Sequence, residues 1–359
     1  ISHFLEQKVR QTVLSINLNA LVHNLKKYKE KLLPSTKIMA MVKAFSYGSG
    51  SHEIASVLEY NKADYLAVAY ADEGVELRKA GISLPIMVMN VDSNTFDSLI
   101  NYNLEPEIFS FALLNDFIAF LQQSELENYP VHVKIDTGMH RLGFMEEDID
   151  GLCKQISTNN YVRIKSVFSH LAASEDENKD DFTQHQFNLF KRCCEQIETA
   201  LQYSFIKHID NTSGVSRHPD LQMDMVRLGI GLYGIDSNKK MQKQLRNVST
   251  LTTNISQIKK LKTGETVGYG RKAKLLKDSL IAVVRIGYAD GYVRSLGNGN
   301  GKMLLKNKLV PVVGNVCMDM TMLDITGIKN VKEGDEVIVF GEALPLPKLA
   351  EWAQTISYE

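Results

Sequence analysis

The sequence predicts an α/β fold, namely a (β/α)8 barrel followed by a mostly β C-terminal domain. Eight short apolar runs alternate with helix-like segments, as parallel strands joined by crossover helices require. After Gly234 the pattern changes, first to a polar segment and then to strands separated by glycine-containing turns. The length of 359 residues suits one barrel of about 250 residues and one smaller domain.

The predicted barrel strands are short, rich in β-branched residues and far enough apart for a helix between each pair. Helix signals lie between them: Asp72–Gly81 has an acidic start, a basic end and a glycine stop, and Ser51–Tyr60 and Asp181–Leu201 have helical periodicity. The predicted strands are Ile38–Val42, Tyr65–Ala69, Pro85–Met89, Glu105–Phe109, Val131–Ile135, Ile164–Phe168, Phe205–Ile209 and Met225–Ile230.

The second domain follows a polar, lysine-rich segment, Ile235–Asn247, which we interpret as a linker. We therefore predict a barrel over residues 12–244 and a β-rich domain over residues 245–359. The strands predicted in the second domain are Ser249–Ile258, Leu280–Ile286, Lys308–Val313, Met320–Ile325 and Glu336–Phe340.

Composition excludes several classes of protein. Hydrophobic residues make up 44% and charged residues 23% of the chain, which are values of ordinary globular proteins rather than disordered ones. The net charge of -1 argues against nucleic acid or an anionic membrane as the main partner. We expect a cytoplasmic protein without a metal site, because neither disulfide spacing nor metal-ligand spacing is found among its histidines and its four cysteines.

Polar residues end several predicted barrel strands. In a (β/α)8 barrel the catalytic residues lie at the carboxyl ends of the strands, so these residues predict one shared site. They are Lys43, Lys134, Asp136, Arg141, His170, Asp210, Thr212 and Arg227, with Gly229 and Ile230 after the last strand.

Lys43 is the strongest candidate for a catalytic residue in this set. A lysine at the end of a buried strand is partly desolvated, which lowers the pKa of its amine and favours Schiff-base chemistry. The loop after Lys43, with Tyr47, Gly48 and Gly50, lets the backbone and a phenol approach a phosphate. Thr212 and Gly229–Ile230 follow the late strands, where this fold often binds phosphate. A Schiff-base lysine beside a phosphate site indicates pyridoxal 5'-phosphate, although an aldolase-type barrel, or a lysine that simply reaches solvent, fits the position as well.

The other strand-end residues leave alternatives open. His170 is a cofactor-stacking residue or a hydrogen-bonded core histidine, and Arg227 is a functional cation or a member of a structural ion pair. Lys134 and Arg141 form either a site for a substrate carboxylate or an ordinary salt bridge with Asp136.

At these residues the chain strongly resembles the alanine racemases, which are fold-type III pyridoxal phosphate enzymes. The family pattern V-K-A-x-A-Y-G-H-G corresponds to Val42–Gly50, with Ser49 in place of the histidine. Further segments that match, in order and at family spacing, are Lys134–Gly143 (KIDTGMHRLG), Val226–Gly234 (VRLGIGLYG), Ile286–Tyr292 (IGYADGY) and Gly314–Asp319 (GNVCMD). The resemblance extends from about Thr12 to Tyr358.

The resemblance implies cofactor-binding roles for residues of the barrel. Lys43 matches the lysine that binds the cofactor covalently, His170 the residue packed against it, and Arg227 the partner of its pyridine nitrogen. Lys134 matches a lysine that is often carbamylated in this family and then holds Arg141. The positions that match phosphate-binding residues are Tyr47, Thr212, Gly229, Ile230 and Tyr358.

The resemblance also implies a head-to-tail homodimer with shared active sites. Arg141 matches the arginine near the substrate carboxylate. Tyr269 matches a second catalytic base that the partner subunit supplies, and Met318 and Asp319 match the partner's contribution to the substrate pocket. Tyr288 matches a residue at the pocket entrance.

The implied activity is an isomerase that interconverts L-alanine and D-alanine and supplies D-alanine for peptidoglycan. Two bases on opposite faces of the substrate, Lys43 and Tyr269, would exchange the Cα proton. One alternative is a serine or broad-specificity racemase of the same fold. Another is a fold-type III amino-acid decarboxylase, which pairs the pyridine nitrogen with an acidic residue where this chain has Arg227. A non-catalytic, barrel-only protein would lack both the second domain and Tyr269.

Residues 1–11 precede the resemblance, and the chain does not begin with methionine. We expect them to be a linker or N-terminal extension. A fusion to another cell-wall enzyme, such as the ligase that joins two D-alanines, would explain them.

Overall fold

A computed structural model describes residues 12–359 as two compact units, one formed by Leu18–Arg246 and the other by residues 12–17 together with Asn247–Glu359. The predicted extension over residues 1–11 lies outside the described residues. The first unit begins at Leu18, whereas the sequence predicted a barrel from residue 12. The reason is that Val13–Ile16 pairs antiparallel with Ser249–Leu261 of the other unit's sheet.

The first unit is a closed parallel barrel, so the predicted fold is confirmed. Its eight strands are adjacent in chain order, and the eighth strand pairs with the first. Backbone hydrogen bonds from Asp224 N to Lys207 O (3.1 Å) and from Arg227 N to Asp210 O (2.9 Å) join strands seven and eight. Strands one to eight are Lys37–Met41, Tyr65–Val68, Ile86–Val88, Glu105–Ile108, Tyr129–Lys134, Val162–Phe168, Ile206–His208 and Met225–Leu228.

Helices connect these strands and cover the barrel. The helix Ala71–Lys79 shows why the local sequence folds this way: Asp72 and Glu73 lie in its first turn, Arg78 and Lys79 in its last, and Gly81 follows with φ of +91°. The helices of this unit are Leu18–Lys29, Ser51–Tyr60, Ala71–Lys79, Phe96–Asn101, Phe111–Gln123, Ile149–Ser157, Asp180–Leu201, Thr212–Arg217 and Lys239–Gln242.

The segment interpreted as a linker is instead packed on the barrel. It contains the short helix Lys239–Gln242. Asp236 is buried and accepts a hydrogen bond of 2.5 Å from the hydroxyl of Tyr28 on the first helix. Buried polar groups are normally hydrogen-bonded, so these residues belong to the barrel unit rather than to a free connection.

The second unit is mostly β, as predicted. Its antiparallel sheet encloses an apolar core that includes Ile255, Val284, Leu323 and Val337. All five predicted strands are present, and four further strands were not predicted. The strands are Val13–Ile16, Ser249–Leu261, Thr266–Val267, Ala273–Lys274, Ser279–Val284, Lys302–Leu305, Lys308–Pro311, Thr321–Asp324 and Glu336–Phe340, and the helix Leu346–Ala353 follows them.

Two further observations concern the described part of the chain. It has no helix that is long and apolar enough to cross a bilayer. Between residues 12 and 359, histidine, cysteine, aspartate and glutamate side chains do not gather in groups of three that could hold a metal ion.

We predict that Asn24→Ala destabilises the barrel. The buried Asn24 amide donates to Leu232 O (3.1 Å) and Arg246 O (2.9 Å) and accepts from Arg246 N (2.8 Å). Alanine leaves these backbone groups without their partners, at an expected cost of about 2–3 kcal/mol. Urea unfolding followed by far-UV circular dichroism measures the change. The exposed Asn19 on the same helix is the matched control, and Asn19→Ala should change stability by less than about 0.5 kcal/mol; equal effects of the two substitutions would contradict the prediction.

Candidate active site

The carboxyl ends of the barrel strands gather the polar residues that the sequence predicted. Lys43 follows strand one, Lys134 ends strand five, His170 follows strand six, and Arg227 lies in strand eight. Parallel strands bring their carboxyl ends to one face of the barrel, which we call the barrel mouth.

Lys43 opens an unusual turn. Ala44, Phe45, Ser46 and Tyr47 all have φ between 51° and 55°, which gives a left-handed helical turn that costs L-residues roughly 1–2 kcal/mol each. Hydrogen bonds hold the turn, including Ser46 N to Val42 O (3.0 Å) and Ala44 N to the Glu73 carboxylate (2.6 Å). Backbone strain of this kind is concentrated at functional sites. Here the strained turn places Lys43 and Tyr47 close together.

The Lys43 amine is half-buried. Burial lowers its pKa, and the positive charge of Arg141 lowers it further. A larger share of neutral amine is therefore present near neutral pH than on an exposed lysine, and the neutral amine is the form that attacks a carbonyl.

Arg227 is buried and makes an extensive hydrogen-bond network. Its two terminal nitrogens donate to the carbonyl oxygens of Ser169 (2.5 Å), His208 (3.2 Å) and Ile209 (3.0 Å). They also contact ring nitrogens, Nδ1 of His208 at 2.8 Å and Nδ1 of His170 at 3.2 Å. Within the described chain, no group accepts a hydrogen bond from Nε of Arg227, so this donor is available to a ligand.

The charge of Arg227 persists despite its burial. Burial lowers the pKa of the guanidinium to about 10, and Asp210 and Glu107 oppose this effect. The group therefore stays protonated at neutral pH. The pKa of His170 lies well below its ordinary value because the ring is buried beside Arg227 and other cations, so His170 is a neutral imidazole.

Thr212 and Gly229 lie side by side at the barrel mouth. The Gly229 N–H donates to Thr212 Oγ1 at 3.0 Å. A Cβ added at Gly229 would lie 2.6 Å from the Tyr47 hydroxyl, so the glycine is what allows the phenol to approach the backbone. The N–H of Ile230 has no acceptor among the described residues. A hydroxyl, a phenol and an unused backbone donor form a cradle that fits a phosphate group.

Lys134 has a partner that the sequence did not predict. An ion pair with Asp136 was one alternative, but Lys134 Nζ lies 3.0 Å from Oε1 of Glu107 on the adjacent strand, and both side chains are buried. Asp136 instead accepts hydrogen bonds from Gly138 N (2.8 Å) and His140 N (3.1 Å) in the following loop. Arg141, in the same loop, is exposed.

Sequence reasoning missed Glu107 and His208. Both are buried in barrel strands. The sequence contained a signal for them, because a charged or polar residue inside a short apolar strand is unusual. Asp210 was noted only as a strand-end residue. It is buried beside Arg227, and burial raises the pKa of its carboxyl to about 7.

The second unit carries the remaining predicted residues. Tyr269 is 71% and Met318 58% exposed, and Tyr288 and Tyr358 are also exposed. A backbone hydrogen bond from Tyr288 N to Cys317 O (3.0 Å) and a bond from the side-chain amide of Asn315 to Tyr269 O (3.0 Å) bring the loops of Tyr269, Tyr288 and Met318–Asp319 together. Tyr358 lies beyond the C-terminal helix.

Both units match family models. Residues 16–237 match "Alanine racemase, N-terminal domain", and residues 248–359 match "Alanine racemase, C-terminal domain". An alanine racemase of Clostridium tetani is 37% identical over 361 residues, covering 98% of this chain and 92% of the relative. One of Clostridium novyi is 38% identical with the same coverage.

Solved structures give the same result. Alanine racemase of Clostridium difficile 630 matches with a TM-score of 0.90 at 35% identity, covering 97% of this chain and 92% of the other. An alanine racemase of Bartonella henselae, described with covalently bound pyridoxal phosphate, matches with a TM-score of 0.89 at 27% identity, covering 97% of this chain and 95% of the other.

We predict that Lys43 of cofactor-free protein is acylated at lower pH than exposed lysines, because its lowered pKa makes the amine neutral earlier as pH rises. Arg141→Ala removes one cause of the lowered pKa, so the labelling midpoint of Lys43 should rise. Pulse labelling with acetic anhydride and peptide mass spectrometry measures it. Arg163→Ala, on an exposed arginine that stacks on Tyr203, is the control. A midpoint unmoved by Arg141→Ala would contradict the prediction.

Proposed function

This chain belongs to the alanine racemase family, and from that premise we propose how its own residues interconvert L-alanine and D-alanine. Members of the family depend on pyridoxal 5'-phosphate, and the chain is an isomerase of this kind. Its residue roles, its dimer and its cellular role are the parts proposed here.

The observation that carries the proposal is the presence of Lys43 and Arg227 in one barrel mouth. Lys43 supplies an amine of lowered pKa, suited to a covalent bond with a carbonyl cofactor. Arg227 offers its one unused N–H, that of Nε, to the pyridine nitrogen. Thr212, Gly229, Ile230 and Tyr47 would receive the phosphate, together with Tyr358. When bound, pyridoxal phosphate acts as an electron sink for the charge left at the substrate Cα.

Arg227 gives the reaction its selectivity. A guanidinium donates hydrogen bonds and does not accept them, so it holds an unprotonated pyridine nitrogen. Arg227 would thus limit the charge that a bound cofactor takes from the substrate, which would favour rapid return of the proton to Cα over side reactions. An acidic residue at this position would have the opposite effect, as in the decarboxylase alternative.

Two bases on opposite faces move the proton. We assign the face of D-alanine to Lys43 and the face of L-alanine to Tyr269. Arg141 receives the substrate carboxylate through its planar fork, and His170 packs as a neutral ring against the cofactor.

A homodimer would complete each site. Tyr269 and Met318 are more than half exposed, and aromatic and methionine side chains on converging loops are typical of an interface. Under this proposal, Tyr269, Met318, Asp319 and Tyr288 of one subunit serve the barrel of its partner. The protein would make D-alanine in the cytoplasm, and this D-alanine would be used for peptidoglycan. A fusion through residues 1–11 stays a prediction.

The direct test of function is racemisation over a panel of L-amino acids, read by chiral chromatography. We expect D-alanine as the preferred product, and loss of activity when pyridoxal phosphate is removed. Borohydride treatment of the yellow enzyme should fix the cofactor on Lys43, as peptide mapping would reveal. A label on another lysine would contradict the site, whereas a preference for serine would indicate the broader racemase.

A second prediction tests the shared site. Tyr269→Phe and Lys43→Ala each remove a base, and each homodimer should lose about 10²–10⁴-fold or more in rate. Random co-refolding makes about half of the dimers mixed, and one of their two sites is then intact. About a quarter of wild-type activity should return at equal amounts of the two mutants. No recovery, with mixed dimers confirmed by native mass spectrometry, would exclude a cross-subunit Tyr269.

A third prediction concerns Arg227. Arg227→Glu replaces a donor by an acceptor, so the pyridine nitrogen would protonate and draw more charge. We expect a slower racemase, a new long-wavelength absorbance band with alanine, and release of pyruvate by transamination. Arg227→Lys keeps the positive charge and is the control, with circular dichroism reporting the fold of both. An unchanged spectrum and rate in Arg227→Glu would make Arg227 structural only.

A further inference from the structure

Glu107 is a buried carboxylate at the barrel mouth that the proposed reaction does not use. It lies on strand four, Glu105–Ile108, and is fully buried. Its Oε1 lies 3.0 Å from Nζ of Lys134. Among the described residues, neither of its oxygens has a regular hydrogen-bond donor, so the ion pair with Lys134 is its main interaction.

The register between strands four and five brings Glu107 and Lys134 together. Glu107 stands opposite His132 on strand five, and Lys134 lies two residues beyond His132. Residues two apart in a strand point to the same face. The carboxylate and the amine therefore share one face, at the end of strand five that opens onto the barrel mouth.

The surroundings of Glu107 are positive. Burial raises the pKa of its carboxyl to about 7 against the opposing effect of the positive charges of Lys134, Arg227 and Arg141. Glu107 in turn acts on Lys43 and Arg227. A carboxylate at this position therefore offsets repulsion among four cations of the barrel mouth, namely Lys43, Lys134, Arg141 and Arg227.

A lysine becomes carbamylated only as the free amine. The nitrogen lone pair attacks the carbon of CO2, a C=O electron pair moves to oxygen, and the proton of the nitrogen goes to solvent. An ammonium group has no lone pair for this step. A carbamate on Lys134 would also set a second negative charge against the Glu107 carboxylate, in a buried space where like charges repel strongly.

We propose that Glu107 is a built-in carboxylate that holds Lys134 as an ammonium, excludes its carbamylation and balances Arg141 without bound CO2. This inference rests on the proposed function for its consequence, the positioning of Arg141 for the substrate carboxylate. Glu107 is thus a positioning residue, and Lys134 carries no carbamate.

The test is ¹³C NMR of the holoenzyme in ¹³C-bicarbonate, with intact-protein mass as a second measurement. The wild type should give no carbamate signal, and its alanine KM should not depend on bicarbonate. In Glu107→Gln the counter-ion of Lys134 is gone, so a carbamate signal should appear. Without bicarbonate the KM of this variant should rise roughly tenfold with a smaller change in kcat, as expected when substrate positioning is lost. Bicarbonate should restore the KM.

Two variants control the result. Glu105→Gln makes the same change on the same strand, where Glu105 pairs with His132 at 2.7 Å; it should neither gain a carbamate nor respond to bicarbonate. Glu107→Asp keeps a carboxylate and should stay free of carbamate.

A carbamate on Lys134 of the wild type would overturn the proposal, and so would a Glu107→Gln variant that neither forms a carbamate nor responds to bicarbonate. If Glu107→Gln does not fold, a carbamate in the wild type or in Glu107→Asp overturns the proposal, and its absence from both supports it. The carbamate signal does not depend on turnover. A wild type without racemase activity would therefore contradict the proposed function, whereas the NMR spectra would still test the absence of a carbamate on Lys134.

Discussion

The buried guanidinium of Arg227 is the interaction on which the site depends. It lies in strand eight and donates to carbonyl oxygens at the ends of strands six and seven. A buried charge of this kind is costly unless hydrogen bonds and an opposite charge compensate for it. The carbonyls, His208 and the nearby carboxylate of Asp210 do so, and they tie three strand ends to one planar group. The same contacts use only the two terminal nitrogens of Arg227 and leave its Nε–H without an acceptor among the described residues.

The electrostatics of the barrel mouth follow from this arrangement. Lys43, Lys134 and Arg141 lie close enough to act on one another and on His170. Burial and, to a smaller extent, this repulsion keep His170 neutral and lower the pKa of Lys43. The buried carboxylates of Glu107 and Asp210 limit this repulsion. The lowered pKa of Lys43 thus arises from a balance between burial, positive neighbours and nearby carboxylates.

The left-handed turn after strand one shows how the backbone contributes. Four residues with positive φ, Ala44 to Tyr47, follow Lys43, and Val42 O and the Glu73 carboxylate accept hydrogen bonds from their backbone. In the second unit, Gly287 serves a comparable purpose, since a Cβ there would lie 2.4 Å from the backbone of Cys317 and Met318. Close backbone approaches therefore set the loops that carry Tyr288 and Met318.

The sequence alone determined the architecture and most of the candidate site. Alternation of apolar runs with helical periods fixes eight parallel strands, and the fold then places Lys43, His170 and Arg227 at one face, because parallel strands end together. The resemblance to alanine racemases supplied roles for them. Periodicity says nothing about residues distant along the chain, so it missed the pairing of Val13–Ile16 with Ser249–Leu261. Only the tertiary structure showed that Lys134 pairs with Glu107 rather than Asp136, because the register between neighbouring strands decides which side chains of a barrel interior meet.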